Sequence, residues 1–377
     1  MILLVGYRRE ALRAALGLGY QVILWNDASI PKFQEKKITK KILHPFQDIR
    51  KVPSKLIPLL KKYHIQFVSG VTEKSVLPAA SVREFLGLPG PRFKVAKLCR
   101  DKTAMKTYAK KKKIRVTPFV VLKKNIPLKE IEKRLSYPVV LKKKALYGRR
   151  GLKIVKQPSQ LKKALKSMHL AEKMIRGKEF SIESFIHQGK ILFRNPTEYY
   201  ELYTINFVPA FLSPKKLKAL HDFNDDIIKK FGIRDGVTHL ECYWTKDGIL
   251  FGEIALRPPG GYIMNLIKIA YGFDPWKAFF EIEAGNKPHL SRRPKKVAAS
   301  WIVHPGEGRV RKVVGLKHLQ KIALDAKINL KPGQIISKRM GTGENVGRIL
   351  LESTSRKRLM KDINKIRENF RIEMDSW

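Results

Sequence analysis

The chain opens with a strand–helix–strand pattern, which restricts its N-terminal part to a parallel α/β arrangement. The apolar run Ile2–Val5 ends at Gly6, and an amphipathic segment follows over about residues 8–18. Further apolar runs cover residues 20–25 and 65–71. Strands joined by helices in this way lie parallel in one sheet. Gly6 lacks the G-x-G-x-x-G spacing, so nothing supports a dinucleotide site here.

At 377 residues the chain is too long for one ordinary core. Domains of roughly 100–200 residues predict two or three units. The glycine- and proline-rich residues 87–91 favour a boundary after the first unit. The expected domains are an α/β unit at 1–95, a mixed central unit at 96–290 and a small α+β unit at 291–377.

Lysine and arginine outnumber aspartate and glutamate by 78 to 32, which gives a formal net charge of +46. Such a surface attracts anions, including nucleic acid. The lysines are spread along the chain, so a solvated surface is the simpler interpretation, and basic nucleic-acid binding stays an alternative. Because no helix-turn-helix, zinc-finger or RNA-recognition signature is present, no specific nucleic-acid partner is expected.

The cysteines and apolar runs exclude several other classes. Cys99 and Cys242 are the only cysteines, which excludes a disulfide framework and a Cys-rich zinc site. No apolar run approaches the roughly 18 residues of a membrane span. Since Met1 leads directly into the first strand, we expect no secretory signal and a cytoplasmic protein.

The first pattern with chemical meaning joins lysines to a glycine-containing loop. Lys102 lies on a predicted helix over residues 95–109, and Lys142 ends an apolar strand. The loop that follows contains Gly148 and Gly151, and its backbone N–H groups can close over phosphates as a flap. Taken alone, a solvated lysine beside a loop is the alternative.

The second pattern is an extended run in which Glu172 and Lys173 precede Ile175, with Glu179 four residues further on. Free backbone groups beside apolar side chains can hold an adenine ring, and a carboxylate at Glu179 can accept both ribose hydroxyls. A polar-ended strand and turn is the alternative on spacing alone.

The third pattern places two carboxylates in an otherwise apolar hairpin over residues 237–255. Glu241 and Glu253 need a partner if they are buried, and a hard cation shared with phosphates would be one. An ion pair with a lysine is the alternative.

The fourth pattern is an arginine followed by prolines and glycines. Arg257 ends a predicted strand, and Gly260 and Gly261 precede a predicted helix over residues 262–271. The glycines let backbone approach a ligand, and the helix N-terminus offers N–H groups to an anion. A helix start that happens to be glycine-rich is the alternative.

In this order and spacing, the four patterns resemble the ATP-grasp superfamily over essentially the whole chain. The segment from Glu253 to Gly261, with Gly272 and Asp274 after the helix, is most similar to the amino-acid ligase branch, which joins carboxylates to amines. The resemblance implies an ATP-grasp fold of α/β and α+β domains. These are an N-terminal parallel-sheet (Rossmann-like) domain, a central nucleotide-binding body with a lid at about residues 118–185, and a small C-terminal α+β domain.

The resemblance also implies residue roles. They are Lys102 and Lys142 on the nucleotide phosphates, Gly148 and Gly151 in the flap, Glu172, Lys173 and Ile175 at the adenine, Glu179 at the ribose, Glu241 and Glu253 on Mg²⁺, and Arg257 on the acyl phosphate or substrate carboxylate. Lys142 and Arg257 would be catalytic, and ATP and Mg²⁺ would be the cofactors.

The implied activity is ATP-dependent ligation of a small-molecule carboxylate to an amine through an acyl phosphate, with release of ADP and phosphate. No membrane partner is expected, and a homodimer stays open. Ala255 stands where many members carry Asn, and Pro258, Pro259 and Gly260 stand where biotin carboxylases carry an acidic residue, so biotin carboxylation is not expected. An ATP-binding module with lost or altered chemistry stays an alternative.

The hairpin turn determines whether the two acids of the third pattern face each other. If residues 246–248 form a three-residue loop, Thr245 pairs with Ile249 and Glu241 lies directly opposite Glu253. A two-residue turn would instead place the acids on opposite faces. We predict the three-residue register. Because like charges so placed repel, Glu253→Gln is expected to remove ATP turnover and to stabilise the metal-free protein.

Overall fold

The computed structural model describes residues 1–46, 51–123, 126–145, 148, 151–341 and 343–375. Its strands form four sheets. Within the described residues, no helix is both long and apolar enough to cross a membrane.

The N-terminal unit is a four-stranded parallel sheet with helices between its strands. Its elements are β1 Ile2–Val5, α1 Arg9–Gly17, β2 Val22–Asn26, α2 Lys32–Glu35, β3 Lys40–Leu43, α3 Ile57–Lys62, β4 Phe67–Gly70 and α4 Val76–Leu86. The strand order is β3-β2-β1-β4, and every pair is parallel. Strands β1, β2 and β4 are buried along their whole length, which is why they read as continuous apolar runs.

Two helices follow where the sequence predicted one over residues 95–109. α5 spans Phe93–Arg100 and α6 spans Lys102–Lys111. Asp101 separates them, because its backbone is extended and its carboxylate accepts hydrogen bonds from two N–H groups in the first turn of α6. This cap makes Lys102 the first residue of α6.

A small antiparallel sheet with two helices covers most of the segment predicted as the lid, and it is called the lid below. It contains β5 Phe119–Val121, α7 Leu128–Arg134, β6 Val139–Lys142, β7 Lys153–Val155, α8 Pro158–Ala164 and β8 Leu170–Lys173, with strand order β5-β8-β6-β7. Val120, Ile131, Leu141 and Leu161 belong to its buried core. The strand after β8 belongs to a different sheet, so this sheet ends at Lys173. The lid limits of about 118–185 stay a prediction.

An eight-stranded antiparallel sheet forms the body. Its strands are β9 Lys178–His187, β10 Lys190–Glu201, β11 Ile205–Val208, β12 Gly236–Thr245, β13 Gly248–Ala255, β14 Val297–Val303, β16 Asp325–Ile328 and β18 Gly347–Ser353. Their order is β13-β12-β9-β10-β11-β14-β18-β16.

Helices cover both faces of the body sheet. α9 Pro214–Phe231 packs with Ile182 and Ile186 of β9, whereas α10 Ile263–Tyr271 and α11 Pro275–Glu283 pack with Phe185 of the same strand. Side chains alternate along a strand, so these helices lie on opposite faces. The core on the α10–α11 face also contains residues of β1 and β4, which brings the N-terminal sheet against the body.

The C-terminal residues extend the body sheet and add a second, smaller sheet. β14 pairs with β11 across the domain boundary that the sequence analysis placed at residue 290. The smaller sheet contains β15 Gly308–Val314, β17 Ile335–Ile336 and β19 Arg371–Asp375, and the helices of this part are α12 Leu316–Ile322 and α13 Arg356–Asn369. The C-terminal part is therefore α+β, but it shares a sheet with the body.

The register of the β12–β13 hairpin differs from the prediction at the turn and agrees with it at the acids. Thr245 pairs with Gly248 around a two-residue turn, so the predicted three-residue loop is wrong. A bulge at Gly252 then shifts the register by one residue, and Glu241 pairs with Glu253. The two acids thus share one face of the hairpin for a reason that the sequence argument did not contain.

Candidate active site

A cavity of about 600 Å³ lies where the N-terminal sheet, the lid and the body meet. Seven of the expected site residues line it: Lys102, Lys142, Gly148, Glu179, Glu241, Glu253 and Arg257. Four others, Gly151, Glu172, Lys173 and Ile175, are not among its lining residues. Residues from all four sequence patterns therefore line one cavity.

Glu241 and Glu253 lie side by side on the cavity wall. Lys102 Nζ, at the start of α6, donates a hydrogen bond to Glu253 Oε2. Burial alone would raise the pKa of Glu253, but the charges of Lys102 and Lys142 lower it to about 2. The Glu253 carboxylate is therefore ionised at neutral pH, and the ion pair with lysine that the sequence left as an alternative is present.

His239 also lines the cavity, and the sequence analysis did not identify it. It stands two residues before Glu241 on β12, so both side chains lie on the same face. Its Nδ1 is 2.8 Å from Oε1 of the fully buried Glu183, and its Nε2 is 3.4 Å from Oε1 of Glu241. Burial alone would lower the pKa of His239, but hydrogen bonds to these two carboxylates raise it to about 9. His239 is therefore a cation beside the acid pair at neutral pH.

Glu179 lies near the start of β9 and lines the same cavity. Burial and the charge of Glu241 raise the pKa of the Glu179 carboxyl to about 8. At neutral pH its protonated form prevails, and a protonated carboxyl can donate a hydrogen bond as well as accept one.

Lys142, at the end of β6, forms an ion pair with the buried carboxylate of Glu172. Its Nζ is 2.8 Å from Oε2 of Glu172, and Nζ of the buried Lys106 is 3.3 Å from the other carboxylate oxygen. The resemblance implied that Glu172 helps to hold adenine. The structure shows its side chain bound between two lysines and away from the cavity lining.

The remaining residues of the predicted nucleotide site lie along the lid. Lys173 is exposed, and its N–H donates a hydrogen bond to the Pro118 carbonyl at 2.9 Å, while Ile175 is half-buried beyond the end of β8. Gly148 and Gly151 have φ of 59° and 68°, a conformation that favours glycine. The other flap residues of the prediction, 146–147 and 149–150, lie outside the described residues.

Arg257 is held in the cavity by the N-terminal unit. Its Nε donates a hydrogen bond to Glu73 Oε2 at 2.6 Å, and its Nη1 donates one to the Pro258 carbonyl at 2.9 Å. Glu73 follows β4 in the chain, at the carboxyl edge of the parallel sheet. Ligand sites of parallel sheets form at this edge.

Arg8 reaches the same place from the end of β1, and the sequence analysis missed it. Its Nη1 donates hydrogen bonds to the carbonyls of Pro258 and Pro259, at 3.1 and 2.9 Å, in the loop after Arg257. Burial and the nearby charge of Arg257 lower the pKa of Arg8 to about 10. Among the described residues no carboxylate lies within 4.0 Å of its guanidinium. The sequence offered one sign of this role, because Arg8 closely follows a buried strand, at the edge of the sheet where ligands bind.

The acid pair fits Mg²⁺. Within the described parts of the chain, no group of three or more His, Cys, Asp or Glu residues could hold a metal ion. Mg²⁺ commonly takes one or two protein carboxylates together with substrate phosphates and water. Glu241 and Glu253 therefore suit an ion that arrives with a nucleotide.

Comparisons with known proteins identify the fold. Residues 107–261 match the family model of the ATP-grasp domain. An L-arginine-specific L-amino acid ligase from Bacillus subtilis is 24% identical over 338 residues, which are 82% of this chain and 80% of that protein.

Two solved structures superpose over nearly their full lengths. An L-amino acid ligase from Bacillus licheniformis has a TM-score of 0.84 and 19% identity, covering 100% of this chain and 98% of its own. An N5-carboxyaminoimidazole ribonucleotide synthetase from Thermotoga maritima has a TM-score of 0.78 and 18% identity, with 99% of each chain covered. The prediction of an ATP-grasp fold with an N-terminal parallel sheet is confirmed. The chain contains an ATP-grasp domain and has the ATP-grasp fold throughout.

Proposed function

We propose that the protein is an ATP-dependent carboxylate–amine ligase that forms an amide or peptide bond through an acyl phosphate. The observation that carries this proposal is one cavity in which an opposed acid pair faces lysines of α6 and the lid, with two arginines at its N-terminal side. The named ligases among the similar proteins support it.

The lid end of the cavity suits the nucleotide. Lys102 and Lys142 would contact the phosphates under the flap of Gly148 and Gly151, and Glu179 would bind the ribose hydroxyls. Backbone groups at Lys173 and Ile175 stay the candidates for adenine. In this assignment the Glu172 side chain supports Lys142 and does not touch the base.

Glu241 and Glu253 would hold Mg²⁺, which supplies charge neutralisation on the transferring phosphoryl group. Lys102 would then release Glu253 and bind phosphate oxygens. His239 would keep Glu241 oriented through its bond to Glu183.

The reaction has two displacements. A carboxylate oxygen of the substrate attacks the γ-phosphorus, the bond to the β–γ bridging oxygen breaks, and ADP leaves with that electron pair. The amine nitrogen then attacks the acyl carbon, the carbon–oxygen bond to phosphate breaks, and the amine loses a proton as phosphate leaves. Lid closure would exclude water, because a free acyl phosphate hydrolyses.

Arg8 and Arg257 mark the end of the cavity that suits the carboxylate substrate. Arg257 already has Glu73 as a counter-charge, whereas Arg8 has no carboxylate partner among the described residues. A half-buried guanidinium of this kind favours an anionic ligand. We therefore assign the substrate carboxylate and its acyl phosphate to this pair.

The test is product analysis with purified protein, ATP, Mg²⁺ and a panel of carboxylates with amines. The expected products are ADP and phosphate, and added hydroxylamine should give a hydroxamate. Formation of AMP and pyrophosphate would instead show adenylation and contradict the acyl-phosphate route.

A nucleotide-binding module without ligase activity is the second candidate, and it would bind ATP without releasing ADP for any pair in the panel. Specific nucleic-acid binding is not proposed, because the charge is dispersed. Three further hypotheses stay open: a cytoplasmic location, a homodimer, and the domain limits 1–95, 96–290 and 291–377. Light scattering would test the homodimer.

A further inference from the structure

Lys106 is a lysine inside the protein core, with only 2% of its surface exposed. It lies one helical turn after Lys102 on α6. Its Nζ donates hydrogen bonds to Thr117 Oγ1 at 2.6 Å and to the Phe251 carbonyl at 3.0 Å. These bonds fix the ammonium group between α6, the entry to the lid and strand β13.

The same ammonium group shares one carboxylate with Lys142. Glu172 is 3% exposed, and its two oxygens lie 3.3 Å from Lys106 Nζ and 2.8 Å from Lys142 Nζ. Burial lowers the pKa of Lys106 to about 8 although Glu172 opposes the shift. With both lysines protonated, the triad of Lys106, Glu172 and Lys142 carries a net charge of +1.

The triad can be compared with a simple pair. If Glu172 faced Lys142 alone, the two charges would cancel, and attraction at low dielectric would hold the ammonium against the carboxylate. Lys106 does not line the cavity, and it competes with Lys142 for that carboxylate. Of the three residues, only Lys142 lines the cavity.

We propose that Lys106 is a positioning residue that shares Glu172 with Lys142 and thereby leaves the charge of Lys142 available to the nucleotide phosphates. This inference rests on the proposed ATP site. It gives Lys106 a role in ligand affinity without contact to the ligand.

A purely structural role makes a different prediction. If Lys106 served only to satisfy the Phe251 carbonyl and Thr117, its loss would loosen the site for every ligand. Under charge sharing, its loss affects ligands with phosphates and spares those without. ADP and adenosine therefore separate the two roles.

The experiment compares Lys106→Met with wild type by titration calorimetry of ADP with Mg²⁺, and by competition for adenosine. Removal of one unit charge close to the phosphates should weaken ADP binding about tenfold. Adenosine affinity should stay within about twofold. Lys110→Met, an exposed lysine one turn further along α6, is the matched control for lost charge and should change neither affinity.

The double variant Lys106→Met/Glu172→Gln restores a net charge of +1 with Lys142 alone. It should recover ADP affinity to within about threefold of wild type, and a melting curve of each variant shows whether it folds. Equal weakening of ADP and adenosine, an unchanged ADP affinity in Lys106→Met, or no recovery in the double variant would each overturn the inference. If wild type bound no ADP, the proposed function itself would fall.

Discussion

Glu241 and Glu253 lie directly opposite each other across the β12–β13 ladder, and they do so because Gly252 is bulged out of the register. From Thr245 to Cys242 the pairing follows a two-residue turn. Without the bulge, this register would pair Glu241 with Gly252 and place the two acids on opposite faces. An ideal Cβ built on Gly252 would lie 2.7 Å from the Glu241 carbonyl oxygen, closer than real Cβ contacts come. The bulge and the acid pair therefore depend on this glycine.

Gly252→Ala should lose Mg²⁺-dependent ATP turnover and about 1–3 kcal/mol of stability, because the added methyl group forces the two strands apart. Gly248→Ala is the control in the same hairpin. Its φ of +110° also disfavours alanine, but its nearest neighbour is the Arg115 side chain, which can move. We expect Gly248→Ala to unfold earlier in urea and to keep its Mg²⁺ dependence. Equal activity loss in both variants would contradict the register argument.

Glu253→Gln should lower ATP turnover about a hundredfold or more while the protein stays folded. Repulsion between the two acids predicted that the metal-free variant gains stability, but the ion pair of Glu253 with Lys102 reverses that sign. The pKa of Glu253 is lowered from 4.5 to about 2, so its ionised form adds stability above pH 4.5 and loses it as the pH falls to 2. We expect the variant to be about 1–2 kcal/mol less stable at pH 7. Urea unfolding in a chelator at pH 7 measures this, and a more stable variant would restore the repulsion argument.

Arg8→Met should raise KM for the carboxylate substrate about tenfold and leave KM for ATP unchanged. The reason is that Arg8 contacts the loop after Arg257, whereas the proposed phosphate contacts come from α6 and the lid. Arg9→Met is the matched control, since Arg9 is the next residue and does not line the cavity. Initial rates of ADP release give both constants. A parallel rise in KM for ATP would show that Arg8 acts on the whole cavity instead.

His239→Gln should remove a pH dependence of stability. The pKa of His239 is raised from 6.5 to about 9, so its charged form stabilises the fold fully below pH 6.5, and this contribution is lost as the pH rises to 9. The loss should amount to about 2–3 kcal/mol. The pKa of Glu179 is raised from 4.5 to about 8, so the stability of the fold also falls as the pH rises between those values. Both proteins share this contribution. The measurement is therefore the free energy of unfolding in urea, with chelator, for wild type and His239→Gln at pH 6 and at pH 9. The wild type should exceed the variant by more at pH 6 than at pH 9. An equal gap at the two pH values would contradict the prediction.

Local patterns predicted most of the elements and failed where two signals overlapped. The helix predicted over residues 262–271 is α10, Ile263–Tyr271, because glycines precede it and Gly272 ends it. The break at Asp101 was missed because apolar periodicity continues on both sides of it. α11 was missed although Asp274 precedes Pro275, a pattern typical of a helix start. Gly252 inside a strand pattern was also a readable sign of a bulge.

The site was predictable only in part because its supporting contacts are long-range. Arg257 was recognisable from its own motif, but its partner Glu73 lies 184 residues earlier in the chain. No local periodicity links such positions. The ion pairs of Glu172 with Lys106 and Lys142 escaped the sequence analysis for the same reason, since the three residues belong to different elements.

The pairing of β11 with β14 has a consequence for any shortened version of this protein. A chain ended near residue 290 would leave β11 with a row of unpaired N–H and C=O groups on a buried, mostly apolar strand. Such an open edge is a template for adding strands from other molecules, so the shortened protein would self-associate. The last part of the chain therefore completes the body sheet by covering the edge of β11.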